Sequence, residues 1–170
     1  SCIQKRELTR VEGNSLAGWV NPNSVITIWY GYYLCNALNR GDYVIFRHGS
    51  SSLPLIKKVV ALPGDQFAVH PYRAGFCYTV NGDTVRGANN FPLFISQKRS
   101  GVLKYYEDAY KGKLPSNACF VSGSSGDTYD STLFGPVGVK ELQGKAFFPI
   151  EMQKKKPKRK PKQRKGGKRK

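Results

Sequence analysis

Apolar residues in this chain come in short runs that turn residues cut off repeatedly, and this pattern constrains the fold more than any other feature. Leu55-Ile56-Lys57-Lys58-Val59-Val60-Ala61-Leu62 stops at Pro63-Gly64-Asp65, and Tyr43-Val44-Ile45-Phe46 begins straight after Arg40-Gly41-Asp42. β-Branched and aromatic residues fill the runs, while Gly, Pro, Asn and Asp separate them, as in strands joined by tight turns. Val80-Asn81-Gly82-Asp83 carries the strongest short hairpin signal. Residues 25–33 read as a strand pair or one long bent strand. Further strands are expected within 1–12, at 66–69 and at 119–121, and residues 145–150 close the domain. Residues 87–117 are less regular, and 102–110 have the makings of a short helix. The expected fold class is mainly β, with antiparallel sheets and few short helices.

Charge divides the chain in two. Of its 28 Lys and Arg, 12 fall in residues 153–170, which contain no acid; the remaining 16 face 11 acidic residues, a net of only +5. The overall net charge of +17 is therefore a property of the tail. Residues 1–152 are of a size for one domain, and residues 153–170 are expected to be a disordered basic tail. Such a tail attracts phosphate, as anionic lipid headgroups or as nucleic acid, or serves only solubility. No apolar stretch reaches the roughly 18 residues of a membrane span. The chain starts at Ser1 and not at Met, so the absence of a span within it does not exclude an N-terminal anchor in a longer protein.

Adjacent lysines in an apolar strand must point to opposite faces, because side chains alternate. One of Lys57 and Lys58 therefore faces the apolar side, unless both stems snorkel to water. A desolvated ammonium has a lowered pKa, and the neutral amine can take a proton from a hydroxyl. Ser15 lies in the turn Glu12-Gly13-Asn14-Ser15-Leu16, where a serine by itself is an ordinary turn residue. His48 and His70 have no acid at triad-like spacing. Asp42 and Asp65 read as turn residues, and Asp127 has no assignable role. Trp19, Trp29, Tyr30, Tyr32 and Tyr33 read as sheet packing, with a membrane-facing aromatic surface as the alternative. Cys2, Cys35, Cys77 and Cys119 lack C-x-x-C spacing, so no metal is expected; they allow up to two disulfides or buried free thiols.

Taken in order, Gly13-Asn14-Ser15-Leu16, Arg40-Gly41-Asp42 with its strand, Ile56-Lys57-Lys58-Val59 with Leu62-Pro63-Gly64-Asp65, Val80-Asn81-Gly82 and Asp130-Ser131-Thr132-Leu133-Phe134-Gly135-Pro136-Val137 resemble the boxes of the type I signal peptidase family. The resemblance spans residues 8–148 and implies a signal-peptidase-like pseudo-barrel. It implies Ser15 as nucleophile and Lys57 as general base, with Lys58 structural. Asp130 and Ser131 match a supporting Asp-Ser pair, and Thr128 a hydroxyl near the lysine. The family's oxyanion hole adds a serine hydroxyl at the position of Gly13, so the Ser15 N–H becomes the main donor, with Asn14 as a supplement. Thr132 stands where an Arg pairs with the Asp, Gly18 where Pro is common, and Gly123-Ser124-Ser125 replaces a Gly-Asp-Asn turn.

The resemblance implies a membrane-associated serine endopeptidase that removes leader peptides from exported proteins, needing no cofactor. The substrate would be an exported preprotein or prepilin in extended form, with small residues first and third before the cut. The site of action would be the extracytoplasmic face of the cytoplasmic membrane. The alternatives are a conjugative pilin-maturation peptidase, a self-cleaving repressor-like Ser–Lys protease, and an inactive peptidase fold binding nucleic acid or anionic lipid through its tail.

Overall fold

The computed structural model describes residues 2–50 and 53–149. The basic tail lies outside the described residues. Ten strands form two antiparallel sheets: β1 Lys5–Arg10, β2 Val25–Tyr30, β3 Tyr43–Phe46, β4 Leu55–Ala61, β5 Phe67–Tyr72, β6 Gly75–Val80, β7 Asp83–Thr84, β8 Ala118–Ser122, β9 Val137–Gly138 and β10 Gly144–Phe147. The larger sheet runs β1-β2-β10-β3-β4-β8-β9, and the smaller runs β5-β6-β7. Two helices, α1 Gln97–Ala109 and α2 Ser131–Phe134, complete the described elements together with two single 3₁₀ turns. The chain is mainly β and antiparallel.

Strand β4 lies between β3 and β8 and touches all the apolar clusters of the core. Ile56 packs with Leu16, Ile26, Ile28 and Ile45; Val59 with Val44, Phe46 and Val121; Ala61 with Phe67, Tyr78 and Phe120. A strand held in this way is a rigid carrier for whatever its side chains do. The Asn81-Gly82 turn has φ of 49° and 83° and joins Val80 directly to Asp83, the left-handed pair that a two-residue hairpin of matched twist requires.

Three boundaries differ from those expected of the sequence. The run 25–33 is one strand ending at Tyr30, because Gly31 turns left-handed (φ 79°) into a 3₁₀ turn. The strand expected at 66–69 continues to Tyr72 and pairs with β6 from Phe67 opposite Val80 to Tyr72 opposite Gly75. Pro71 is accommodated there because β5 is an edge strand of its sheet. Helix α1 begins at Gln97, five residues before the expected 102, because the Ser96 hydroxyl accepts from the Arg99 N–H and caps it there.

Cys2 and Cys35 form a disulfide that ties the lead-in to β1 to the turn after β2. Cys77 and Cys119 are buried free thiols, and burial pushes Cys119 up to about 12, so neither supplies a reactive thiolate at neutral pH. The bridge spans 33 residues, a loop length at which a disulfide contributes about 2–4 kcal/mol. Reduction with dithiothreitol, or Cys35→Ser, is expected to lower the thermal midpoint by roughly 5–15 °C. An unchanged midpoint in differential scanning calorimetry would show that the bridge stabilises nothing.

Candidate functional site

Lys57 is placed by the alternation of β4. Lys57, Val59 and Ala61 share the buried parity of the strand, whereas Ile56, Lys58 and Val60 are only half-buried. Lys57 is 3% exposed. Burial lowers its pKa below the ordinary lysine value and outweighs the charge of Asp130, which pulls the other way. Lys58 points to the opposite side, where its ammonium lies 3.8 Å from the Trp19 ring centroid. The two lysines thus have separate environments, as strand geometry requires.

Ser15 is placed by the turn after β1. The ladder continues to Val11, whose N–H donates to Ser24 O. The chain then turns at Gly13, which has φ 74°, a conformation that side-chain-bearing residues rarely adopt. Residues 14–20 coil into a helical turn, with the Ala17 N–H on Asn14 O and the Val20 N–H on Leu16 O. Leu16 and Val20 bury themselves against Ile26 and Ile45 and pin that turn to the large sheet. Ser15 itself stays half-buried.

These two placements bring Ser15 and Lys57 together across 42 residues of sequence: Lys57 Nζ is 3.0 Å from Ser15 Oγ. The same nitrogen donates to Ile56 O at 3.2 Å. The Ser15 carbonyl accepts from the Ser124 N–H at 2.8 Å and from the Ser124 hydroxyl at 3.3 Å. No acceptor for the Ser15 N–H occurs among the described residues. A hydroxyl against a buried amine, with an uncommitted N–H at the same residue, has the parts needed for nucleophilic attack on a carbonyl.

Behind this pair lies a second layer built on Asp130, which is fully buried. Its Oδ2 accepts from the Gly123 N–H (3.0 Å) and the Thr128 hydroxyl (2.5 Å). Its Oδ1 accepts from the Thr132 N–H (2.9 Å) and the Thr132 hydroxyl (2.7 Å), capping α2. Ser131 accepts the Val121 N–H at 2.8 Å and so ties α2 to β8. Gly123 runs so close to both layers that an added Cβ would collide with the Thr128 hydroxyl and lie 2.6 Å from Ser15 O.

A family profile described as "Signal peptidase, peptidase S26" matches residues 6–151. The chain belongs to the signal peptidase family. The Signal peptidase I of Bacillus caldolyticus is 27% identical over 142 residues, covering 81% of this chain and 75% of that protein. The Signal peptidase I of Buchnera aphidicola subsp. Schizaphis graminum (strain Sg) is 29% identical over 82 residues, covering 48% of this chain and 26% of that protein. As a signal peptidase family member, the chain is a peptide-bond hydrolase.

The other residues singled out in the sequence have partners of their own. Gly13 and Asn14 are exposed beside Ser15. Asp42 accepts from the Tyr33 hydroxyl and the Asn39 N–H and pairs with Lys145. Asp65 accepts from the Leu62 N–H, Asn81 and Arg40, which joins three of the sequence boxes into one structural knot. Burial pushes Asp65 up, but those hydrogen bonds outweigh it and hold its carboxyl below the usual range. His48 stacks on Phe134 and His70 bonds Thr79, and neither is hydrogen-bonded to Ser15 or Lys57 among the described residues. Asp127 accepts from Ser125. The aromatic group divides: Tyr30 and Trp19 pack against the core, while Trp29 carries Arg6 and Phe147. Sequence reasoning missed Ser124 and Arg99. The Arg99 guanidinium donates to Gly126 O at 2.7 Å and to Thr128 O. Both partners are tertiary, so no local pattern marks them.

Proposed function

We propose that this family member is a leader-peptide endopeptidase in which Ser15 is the nucleophile and Lys57 the general base. The observation that carries the reading is the 3.0 Å contact between Ser15 Oγ and the Nζ of a buried Lys57. Neutral Lys57 takes the Ser15 proton as Oγ bonds to the substrate carbonyl carbon. The oxyanion is stabilised by the Ser15 N–H. Lys57 then returns the proton to the leaving amine as the C–N bond breaks, and water hydrolyses the ester with the same lysine as base. Asp130, Ser131 and Thr128 hold the loop behind the pair, while Gly13 and Asn14 shape its entrance.

The substrate is proposed to be an exported precursor, bound in extended form. Residues 55–57 of β4 support this, because pairing with β8 begins only at Lys58 and no other strand among the described residues pairs with that edge. A strand added there would present its backbone to the nucleophile. The Cys2–Cys35 bridge supports action in an oxidising compartment, outside the cytoplasm. The described residues contain no helix long and apolar enough to cross a membrane.

The test is hydrolysis of a synthetic leader peptide with small residues first and third before the cut, with products identified by mass. A single cut after the small residue is the expected result; no cut in any leader across the pH range would sink the reading. The pH profile adds a second expectation. Activity needs neutral Lys57, so kcat/KM rises with pH, and the midpoint of the rise lies below the ordinary lysine value of 10.5. A rise centred at or above that value would mean that the burial of Lys57 has no consequence for the chemistry.

A further inference from the structure

The loop after β8, Gly123-Ser124-Ser125-Gly126-Asp127-Thr128, consists of small and polar residues. A segment of this composition has high intrinsic freedom and is ordered only by what surrounds it. Yet Ser124 in this loop supplies both donors to the Ser15 carbonyl, and Gly123 supplies one of the donors to Asp130. Something must fix it.

Three restraints reach it from segment 87–99. The Ala88 N–H donates to Ser124 O at 3.0 Å. The Gly126 backbone lies directly against the Phe94 carbonyl, with no room for a Cβ. Arg99, in the first turn of α1, spans two carbonyls of the loop, Gly126 O and Thr128 O, with one guanidinium. Its Nε is buried with no partner among the described residues, so the half-buried side chain leaves one donor unmet while it makes those two bonds. The Ser96 cap fixes the backbone from which Arg99 reaches out. A planar guanidinium can bridge two acceptors at once, which an ammonium cannot do with the same geometry.

We propose that Arg99 is a positioning residue for the peptidase reaction, clamping the 123–128 loop so that Ser124 holds Ser15 in register with Lys57. This rests on the Ser15–Lys57 reading above. The irregular segment 87–117 thereby acts as a brace for the site from outside the two sheets. A cavity of about 430 Å³ opens against the clamp, lined by Arg99, Ser96, Ser124, Gly126 and Asp127 among others. It is wide enough to admit a small guanidinium ion.

The experiment compares wild type, Arg99→Lys, Arg99→Ala and Ser15→Ala in the same leader-peptide assay, alongside amide hydrogen exchange of each protein. Both Arg99 variants are expected to lose exchange protection in residues 123–128, with β2, β3 and β10 unchanged. They are expected to lower kcat by about 10- to 100-fold, as small misplacements of reacting groups do, with KM within about threefold. Millimolar methylguanidinium, entering the cavity, is expected to restore part of the kcat of Arg99→Ala but none of Ser15→Ala; methylammonium restores neither. Unchanged loop protection in Arg99→Lys overturns the clamp even if the peptidase is inactive. Lost protection with unchanged kcat overturns its positioning role, and loss of protection across the whole sheet makes Arg99 merely structural. An inert wild type, by contrast, counts against the peptidase reading and removes the catalytic part of the proposal with it.

Discussion

Ser15→Ala and Lys57→Met are each expected to lower kcat/KM on a leader peptide by at least about 10³-fold, because each removes one half of an interdependent pair. Lys58→Ala is the control. Lys58 points away from Ser15 and rests on Trp19, so activity is expected to stay within about tenfold of wild type. If Lys58→Ala were as damaging as Lys57→Met, the assignment from strand parity would be wrong. Lys57→Met is also expected to carry a stability signature. Burial lowers the folded-state pKa of Lys57, so between that value and the ordinary one the unfolded chain binds a proton that the folded chain does not. Stability therefore falls as pH falls through that window. Replacing the amine by an apolar side chain of similar length removes this penalty, so Lys57→Met is expected to be at least as stable as wild type at neutral pH. Denaturant unfolding of both proteins from pH 6 to pH 10 measures it; a variant less stable at every pH would contradict the account.

Asp130→Ala is expected to be among the most destabilising single changes in the chain. The carboxylate satisfies two backbone N–H groups and two hydroxyls, all buried. Removing it strands those donors at about 1–3 kcal/mol each in the worst case, so a total loss of roughly 3–5 kcal/mol is a moderate expectation. For a domain of this size that lowers the thermal midpoint by roughly 6–20 °C. Asp130→Asn keeps the shape and part of the accepting capacity and should lose less. Because it also removes the charge that pulls the Lys57 pKa upward, its pH–rate limb should shift toward acid. A midpoint unchanged in Asp130→Ala would mean that Asp130 is not the keystone of the loop.

Much of this arrangement is legible in the residues. The alternation of β4 is enough by itself to assign Lys57 and Lys58 to opposite sides, and the Asn81-Gly82 pair specifies its own hairpin. The order of the boxes points to Ser15 and Lys57 sharing one site. What stays hidden depends on tertiary partners. Ser124 reaches Ser15 across 109 residues, and Arg99 reaches Thr128 across 29. Neither contact leaves a periodic or local trace. The start of α1 is hidden because Gln97-Lys98-Arg99-Ser100-Gly101 is polar and contains a glycine, so only the Ser96 cap marks it. Composition leaves every pairing of the four cysteines open, and the approach of the β1 lead-in to the turn after β2 selects Cys2 and Cys35. Thr132, where the resemblance implies an arginine partner for Asp130, keeps the carboxylate satisfied with a hydroxyl and an N–H.

The most direct measurement of the central claim is acid quenching during turnover of a leader peptide, followed by mass mapping of the enzyme. The account predicts an ester between Ser15 Oγ and the new C-terminus of the leader fragment, absent from Ser15→Ala. Product formation with no adduct at Ser15, or with the adduct on another residue, would contradict it.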